Sequence, residues 1–534
     1  MKRDETGVLR SVSVVSLMTA VSRVLGLVRE VVMAYFFGTS ALKSAFDIAF
    51  IVPNLFRRLF GEGALSSAFV PVFSEALVKE GRENAYRFAL RVISLLAVVL
   101  GSVTLLGILL TWPLADMLPP DSRWLIPLPM LRIMLPYALL ICVAALLSGM
   151  LNALSRFAIP SLTPFLLNAI WIVALCWPLL AGTPERRIIV LSWAILFAGL
   201  AQIVFQLPEL VKQGFRPRPA FKGMFADPKL RKVLTLMAPA ALGIGIIQIN
   251  VCVDKLLAFW ADPAAPGALE YAERIVYLPL GMFGTAFMTV LLPTFSRQAA
   301  RGERAAMRET LQRAIRNLAV IMAPCSAALF VLALPVISLI YRFKGGVFDA
   351  DSAVLSARAL AAYAPGLLVF SLQKAQTPVF YGLQDLKTPV RVSLAGLGLN
   401  LAMNVASVLL LPHGWKHVGI AGSTVAASLA NTVMLAVILR HRWGLFSLSA
   451  VAGPVARAVG CAAAMAAVVP GAYTLFTRVL PQAGVEGKFA EVAAMGATVL
   501  IGTAVYGGLM ALVSRGELRE MADDFRRRRQ HGGE

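Results

Sequence analysis

The chain is short of acid and nearly without histidine. Its 534 residues hold 50 Lys and Arg against 29 Asp and Glu and four His, and charged residues of both signs amount to only 15%. A soluble protein of this length needs far more polar surface, which excludes an ordinary hydrated globule. Two of the four histidines, His413 and His417, are four apart, but Pro412 and Gly414 place them in a loop, so no zinc site is expected there. The five cysteines, Cys142, Cys176, Cys252, Cys325 and Cys461, are scattered through apolar segments. That spacing argues against a disulfide framework or a thiolate metal centre. No cleavable leader is expected either. The first apolar stretch contains Arg23, Arg29 and Glu30 and lacks a short uncharged core followed by small residues, so it is expected to remain as a membrane helix.

What the chain has in abundance is apolar sequence, 58% of residues. Runs of about 20 residues or more recur along its whole length, the signature of an all-α polytopic membrane protein. Fourteen spans are expected, near 8–37, 44–75, 86–113, 126–152, 157–181, 187–212, 231–261, 268–297, 309–341, 356–382, 388–411, 417–441, 452–478 and 487–515. The formal charge of +21 would suggest nucleic acid in a soluble chain. Here the basic residues collect in short loops after the even-numbered spans, such as Arg297, Arg301, Arg304 and Arg308, and in the tail at Arg526 to Arg529. Membrane topology explains them, both termini are expected in the cytoplasm, and no nucleic-acid partner is expected.

The sequence also repeats. FVPVFS at 69–74 corresponds to LLPTFS at 291–296, and LNALSRFAIPSLTPFLLN at 151–168 to FYGLQDLKTPVRVSLAGLGLN at 380–400, with Pro160 matching Pro389. Both matches have an offset of six spans. An even offset gives the two units the same orientation, so two six-helix lobes related by a pseudo-two-fold along the membrane normal are expected. The expected divisions are 1–223 for the first lobe, 224–446 for the second, and 447–534 for a two-helix extension with its basic tail. The basic stretch 212–232 is read as the cytoplasmic linker and as a contact for anionic membrane lipids.

Charges inside the spans carry the functional argument. Arg23, Arg29, Arg57 and Arg58 lie in the first two spans, and an arginine at mid-membrane costs roughly 2.5–3.5 kcal/mol on insertion scales. Such residues face a watery cavity or a partner, and a cluster of them suits an anion. Arg29 stands about 9 Å beyond Arg23 along a helix. Gly26 between them permits a bend, and Glu30 offers local neutralisation. In FIVPNLFRRLFGEG, Pro53 disturbs the helix near Ala49, and Asn54 is counted with the arginine pair among the substrate-binding residues. Arg58 and Glu62 are four apart and suited to pair, which leaves Arg57 as the freer cation. Glu270 and Arg274 have the same spacing in the eighth span, and Lys374 in the tenth has no carboxylate one turn away. The positive residues of these spans nearly balance the negative ones, so the argument rests on which of them pair locally. Asp254, Asn400, Asn404 and Thr424 together supply oxygens for a hard cation such as sodium, or they hydrogen-bond between helices.

The segments SRVLGLVRE (22–30), PNLFRRLFGEGALSSAFVPVFSE (53–75), LNALSRFAIPSLTP (151–164), YAERIVYLPLGMFG (271–284) and GLQDLKTPV (382–390) closely resemble the MurJ/MviN family. The resemblance extends over essentially the whole chain. It implies a fold of the multidrug/oligosaccharidyl-lipid/polysaccharide exporter superfamily and a flippase for lipid II, the undecaprenyl-pyrophosphate-linked peptidoglycan precursor, in the bacterial cytoplasmic membrane. The family's cavity arginines fall on Arg23, Arg29, Arg57 and Arg274, and its last two helices suggest a groove for the lipid tail. No cofactor is implied beyond a sodium ion at Asp254, Asn400, Asn404 and Thr424. The family site has a second carboxylate where this chain has Asn404. A family acidic residue near the start of helix 2 is Ser44 here, with Asp47 three residues later. A monomer is expected, with lipid II and membrane lipids as partners and cell-wall synthesis proteins as further ones. The rival readings are an exporter of drugs or of another polyprenyl-linked saccharide on the same scaffold, and a membrane enzyme acting on polyprenyl pyrophosphate. The enzyme reading lacks its machinery, since the chain has no DDxxD-type motif and no histidine deep in a span.

Overall fold

A computed structural model describes residues 2–61, 64–177, 182–221, 227–482 and 484–516, and among these every regular element is helical. The order is α1 (Lys2–Phe37), α2 (Ala41–Phe56), a π-turn (Arg57–Gly61), α3 (Ala64–Lys79), α4 (Gly81–Met117), α5 (Pro127–Ala153), α6 (Ala158–Cys176), α7 (Pro184–Lys212) and α8 (Pro228–Ala261). There follow α9 (Ala265–Pro279), a second π-turn (Leu280–Gly284), α10 (Thr285–Ala300), α11 (Arg304–Val331), α12 (Ala333–Tyr341), α13 (Ala350–Gly382), α14 (Lys387–Leu410), α15 (Lys416–Trp443), α16 (Leu448–Gln482) and α17 (Gly487–Val513). Taking α2–α3, α9–α10 and α11–α12 as interrupted single segments gives fourteen, one for each expected span. Eleven of these, among the described residues, are long and apolar enough to cross a membrane. The expected spans at 8–37, 44–75 and 231–261, all of which carry interior charge, fall outside that set.

Helix boundaries follow from local chemistry. The Ser40, Thr183, Asp227 and Asp349 side chains cap α2, α7, α8 and α13 by accepting from first-turn amides. The α5–α6 and α13–α14 turns are alike. Ser155 and Gln384 both sit at φ 60°, and the next amide donates back across the turn, Arg156 N to Leu151 O (2.8 Å) and Asp385 N to Phe380 O (2.9 Å). This is the Schellman closure, repeated at the offset of the sequence repeat. Each turn is pinned to a following helix by an ion pair, with the signs exchanged: Arg156 to Glu209 of α7 (3.4 Å), Asp385 to Arg442 of α15 (2.9 Å). The two π-turns stand at the same offset, ahead of the matched FVPVFS and LLPTFS segments of α3 and α10.

The chain divides into two compact units, Met1–Gly267 with Phe343–Phe348, and Ala268–Arg342 with Asp349–Glu534. In the first, Phe46, Tyr137, Trp171, Ile188 and Leu191 join α2, α5, α6 and α7 in one apolar cluster. Trp171 meets Phe46 and Phe50 edge-on at 5.3 and 5.7 Å. A second cluster packs Phe69 and Phe73 of α3 on Phe88 of α4. In the second unit, Ala319 of α11 and Ala458 and Met465 of α16 pack with Tyr506 of α17, whose hydroxyl donates to Val320 O (2.9 Å).

The structure corrects two local expectations. His417 lies inside α15, fully buried, with Nε2 3.0 Å from Leu355 O, while His413 stays in a short 3-10 turn. Helix α1 runs unbroken through Gly26.

Candidate functional site

The arginines of the first unit differ in what holds them. Arg23 is exposed on α1. Arg29, two turns on, is largely buried and tied on three sides. It pairs with Glu30, donates to Asn168 Oδ1 of α6 (3.1 Å), and lies over the Trp171 ring with 4.4 Å to its centroid. Asn168 in turn donates to Ser22 O (3.3 Å). The neighbouring carboxylate offsets the Arg29 charge, and α6 fixes its plane. Glu30 is 2% exposed, and a buried carboxylate needs such a partner.

Pro53 acts in a different place from the one expected. Helix α2 continues past Ala49 to Phe56, and the ladder changes to π geometry over Arg57–Gly61. A π-turn accommodates an extra residue in the helix and is frequent at functional sites. It places Arg57 and Arg58 consecutively where the helix is re-registered. Arg57 donates from Nε and Nη2 to Asn54 Oδ1 at 3.0 and 2.9 Å, and Arg58 from Nη1 to Gln248 Oε1 of α8 at 3.3 Å. Both acceptors are neutral amides. The expected partner of Arg58, Glu62, lies outside the described residues. Asp47, weighed as a stand-in for the family acid, accepts from buried Lys43 (2.6 Å), while Ser44 Oγ accepts from Gly267 N (3.3 Å).

Arg274 on α9 and Lys374 on α13 belong to the second unit, both partly buried. The Lys374 stem lies against Gly284, which closes the second π-turn; a Cβ there would sit 3.1 Å from Lys374 Cδ. The sequence pointed to Arg57 and Asn54 but missed Gln248, Asn168 and Trp171. Their only signal was a polar or aromatic residue in an apolar run, which has many other causes.

The four residues read as a sodium site divide between the units. Asn404 donates to Asn400 Oδ1 (2.8 Å) and Asn400 to Thr424 Oγ1 (3.4 Å), across α14 and α15 of the second unit. Asp254, in the first unit, accepts from Asn250 (3.4 Å). The α14–α15 trio contains no carboxylate, and Asp254 is the one carboxylate of the four.

A family model described as lipid II flippase MurJ matches residues 33–486. The chain belongs to the MurJ family. A probable lipid II flippase MurJ from Vibrio cholerae is 34% identical over 455 residues, covering 83% of this chain and 84% of the relative. The lipid II flippase MurJ of Burkholderia cenocepacia is 32% identical over 440 residues, 81% and 84% respectively. A solved structure of lipid II flippase MurJ in an inward closed conformation superposes with a TM-score of 0.75 at 23% identity, covering 94% of this chain and 98% of that one. An inward-facing MATE family multidrug transporter of the MOP superfamily gives 0.63 at 15% identity, covering 79% and 94%. At these identities the likenesses establish the scaffold. A MurJ-family chain with eleven membrane-length helices among its described residues is a multi-pass protein of the bacterial inner membrane.

Proposed function

We propose that this chain moves lipid II from the cytoplasmic to the outer leaflet, and that Arg57 and Arg58 receive its pyrophosphate. Family membership supports the substrate. The observation that carries the mechanism is the arginine pair on the α2–α3 π-turn, oriented by the amide oxygens of Asn54 and Gln248. An amide oxygen orients a guanidinium, and the planar fork suits phosphate oxygens through paired, charge-assisted hydrogen bonds. Arg23 is a further contact, and Arg274 and Lys374 play that part in the second repeat. Arg29 has another role, holding α1 to α6 through Asn168 and Trp171. The two repeats alternate access to the two sides, both termini stay in the cytoplasm, and no covalent bond changes. Moving a cationic site couples it to the membrane potential at about 2.3 kcal/mol per charge per 100 mV.

A drug exporter for organic cations would carry carboxylates where this chain has Arg57 and Arg58. The test is lipid II exposure on the outer face of cells depleted of their own flippase. Wild type restores exposure, while Arg57→Ala and Arg58→Ala, present at equal membrane levels, do not. Full exposure with the double variant would remove the pair from the mechanism. A well-inserted wild type that restores nothing would point to another polyprenyl-linked saccharide.

A further inference from the structure

Six residues, Phe343–Phe348, depart from the repeat that encodes them. They lie in the chain between α12 and α13 of the second unit, yet they pack with the first. The sequence FKGGVF gives the local reason. Gly346 N donates to Phe343 O (3.1 Å), and Gly345 just before it takes φ 80°, the position at which such a turn calls for glycine. Beyond the turn, Val347 N donates to Tyr35 O (2.8 Å). Tyr35 stands in the last turn of α1, where carbonyls have run out of intrahelical donors. Its ring lies against both glycines: a Cβ on Gly346 would be 2.8 Å from Tyr35 Cδ2, and one on Gly345 3.3 Å from the Tyr35 hydroxyl.

The seat beneath this contact is firm. Phe36, beside Tyr35, underlies the Arg187 guanidinium of α7 at 4.1 Å, and Arg187 also donates to Leu175 O of α6 (2.8 Å). The end of α1 is thereby fixed within its own unit. The segment docked on it brings little apolar surface. Phe348 is buried, but Phe343, Lys344 and Val347 are exposed and the two glycines have no side chain. Hydrophobic stabilisation scales with the apolar area removed from water, so this contact is built to let go.

The ends of the segment have little slack. Tyr341, the last residue of α12, is fully buried, and its hydroxyl donates to Tyr271 O of α9 (3.3 Å). On the other side, the Asp349 carboxylate caps α13 by accepting from Ser352 N (2.8 Å). Val347 is two residues from that cap, and two extended residues span about 7 Å. A larger movement of α13 away from α1 must break the bond from Val347 to Tyr35. In the orientation proposed above, the turns after α1 and α12 both emerge on the outer side. We propose that Phe343–Phe348 is a strap that holds α1 while the protein is closed to the outside and releases it when the repeats open there. This role rests on the alternating access of the proposed function.

The test is a disulfide across the contact. In a full chain whose five native cysteines are replaced by alanine, Tyr35→Cys with Gly346→Cys should cross-link in oxidising medium. Flippase-depleted cells carrying the cross-linked protein should lose lipid II exposure, and dithiothreitol should restore it. Failure to cross-link, full exposure by fully cross-linked protein, or a loss that reduction does not reverse would each overturn the proposal. A second measurement needs no substrate. In the same background, spin labels at Arg186→Cys and Lys344→Cys, both exposed positions, should report a docked distance. Gly346→Val, which collides with the Tyr35 ring, should add a longer one, with melting temperatures confirming that each variant is folded. A distance that Gly346→Val leaves unchanged would overturn the strap. A wild type that restores no exposure would count against the lipid II reading instead, and the spin-label distances would still decide the strap.

Discussion

The Arg57 guanidinium donates from Nε and Nη2 to one atom, Asn54 Oδ1, so this side chain helps to set its plane. A hydrogen bond to a charged group is worth about 1.5–3 kcal/mol. Asn54→Leu should therefore lower lipid II exposure by about tenfold or more while leaving protein levels intact, measured in flippase-depleted cells. Wild-type exposure with Asn54→Leu would mean that Arg57 does not need this orientation. Asp385, in the turn before α14, gives a pH prediction. Burial alone would raise its pKa, but the Thr388 hydroxyl and amide and the Arg442 guanidinium outweigh it and hold the carboxyl below the ordinary 3.8. A depressed folded-state pKa contributes stability that is fully present above the unfolded value and is lost as pH falls through the folded one. The melting-temperature gap between wild type and Asp385→Asn should accordingly be widest near neutral pH and close below about pH 3.8. A gap independent of pH would remove the ionised carboxylate from that account. At this scale the sequence named the arginines and Asn54, and some of their partners. Glu30, next to Arg29 in the chain, was legible as a counter-ion. Gln248, 190 positions from Arg58, was not.

Proline and glycine mark the breaks in the helices, yet the structure decides what form each break takes. Pro53 removes one amide, and the lost bond is absorbed four residues later as a π-turn rather than as a kink at Ala49. The same device recurs after Pro279. Glycine also sets how closely helices approach. A Cβ on Gly382, in the last turn of α13, would lie 2.9 Å from the Phe295 carbonyl carbon of α10. Backbone cannot swing aside as a side chain can, so Gly382→Ala should destabilise the protein by about 1–3 kcal/mol, read as a lower melting temperature in detergent. An unchanged melting temperature would show that α10 and α13 separate at little cost.

For the whole molecule, the alternation of basic and basic-poor loops predicts the side on which each turn emerges. In a Cys176→Ser background, Ser155→Cys should resist a membrane-impermeant maleimide in intact spheroplasts and react after lysis. Thr183→Cys should react in both. The reverse pattern would invert the proposed orientation and with it the side from which substrate enters. The repeat was legible from FVPVFS and LLPTFS. What the structure adds is that it extends to backbone conformation: matched π-turns, and matched Schellman turns at Ser155 and Gln384.

The sequence alone determined the membrane class, the fourteen helical segments, the repeat and the family, because hydropathy, punctuation by proline and glycine, and local motifs are properties of neighbours along the chain. The tertiary structure decided what the charges meet. Arg29 pairs with Glu30 and is clamped by α6, Arg57 and Arg58 donate to the amides of Asn54 and Gln248, and Asp254 belongs to a different compact unit from Asn400, Asn404 and Thr424. Pairing energy depends on distance in space and on burial, and neither can be read from spacing when the partners lie on different helices.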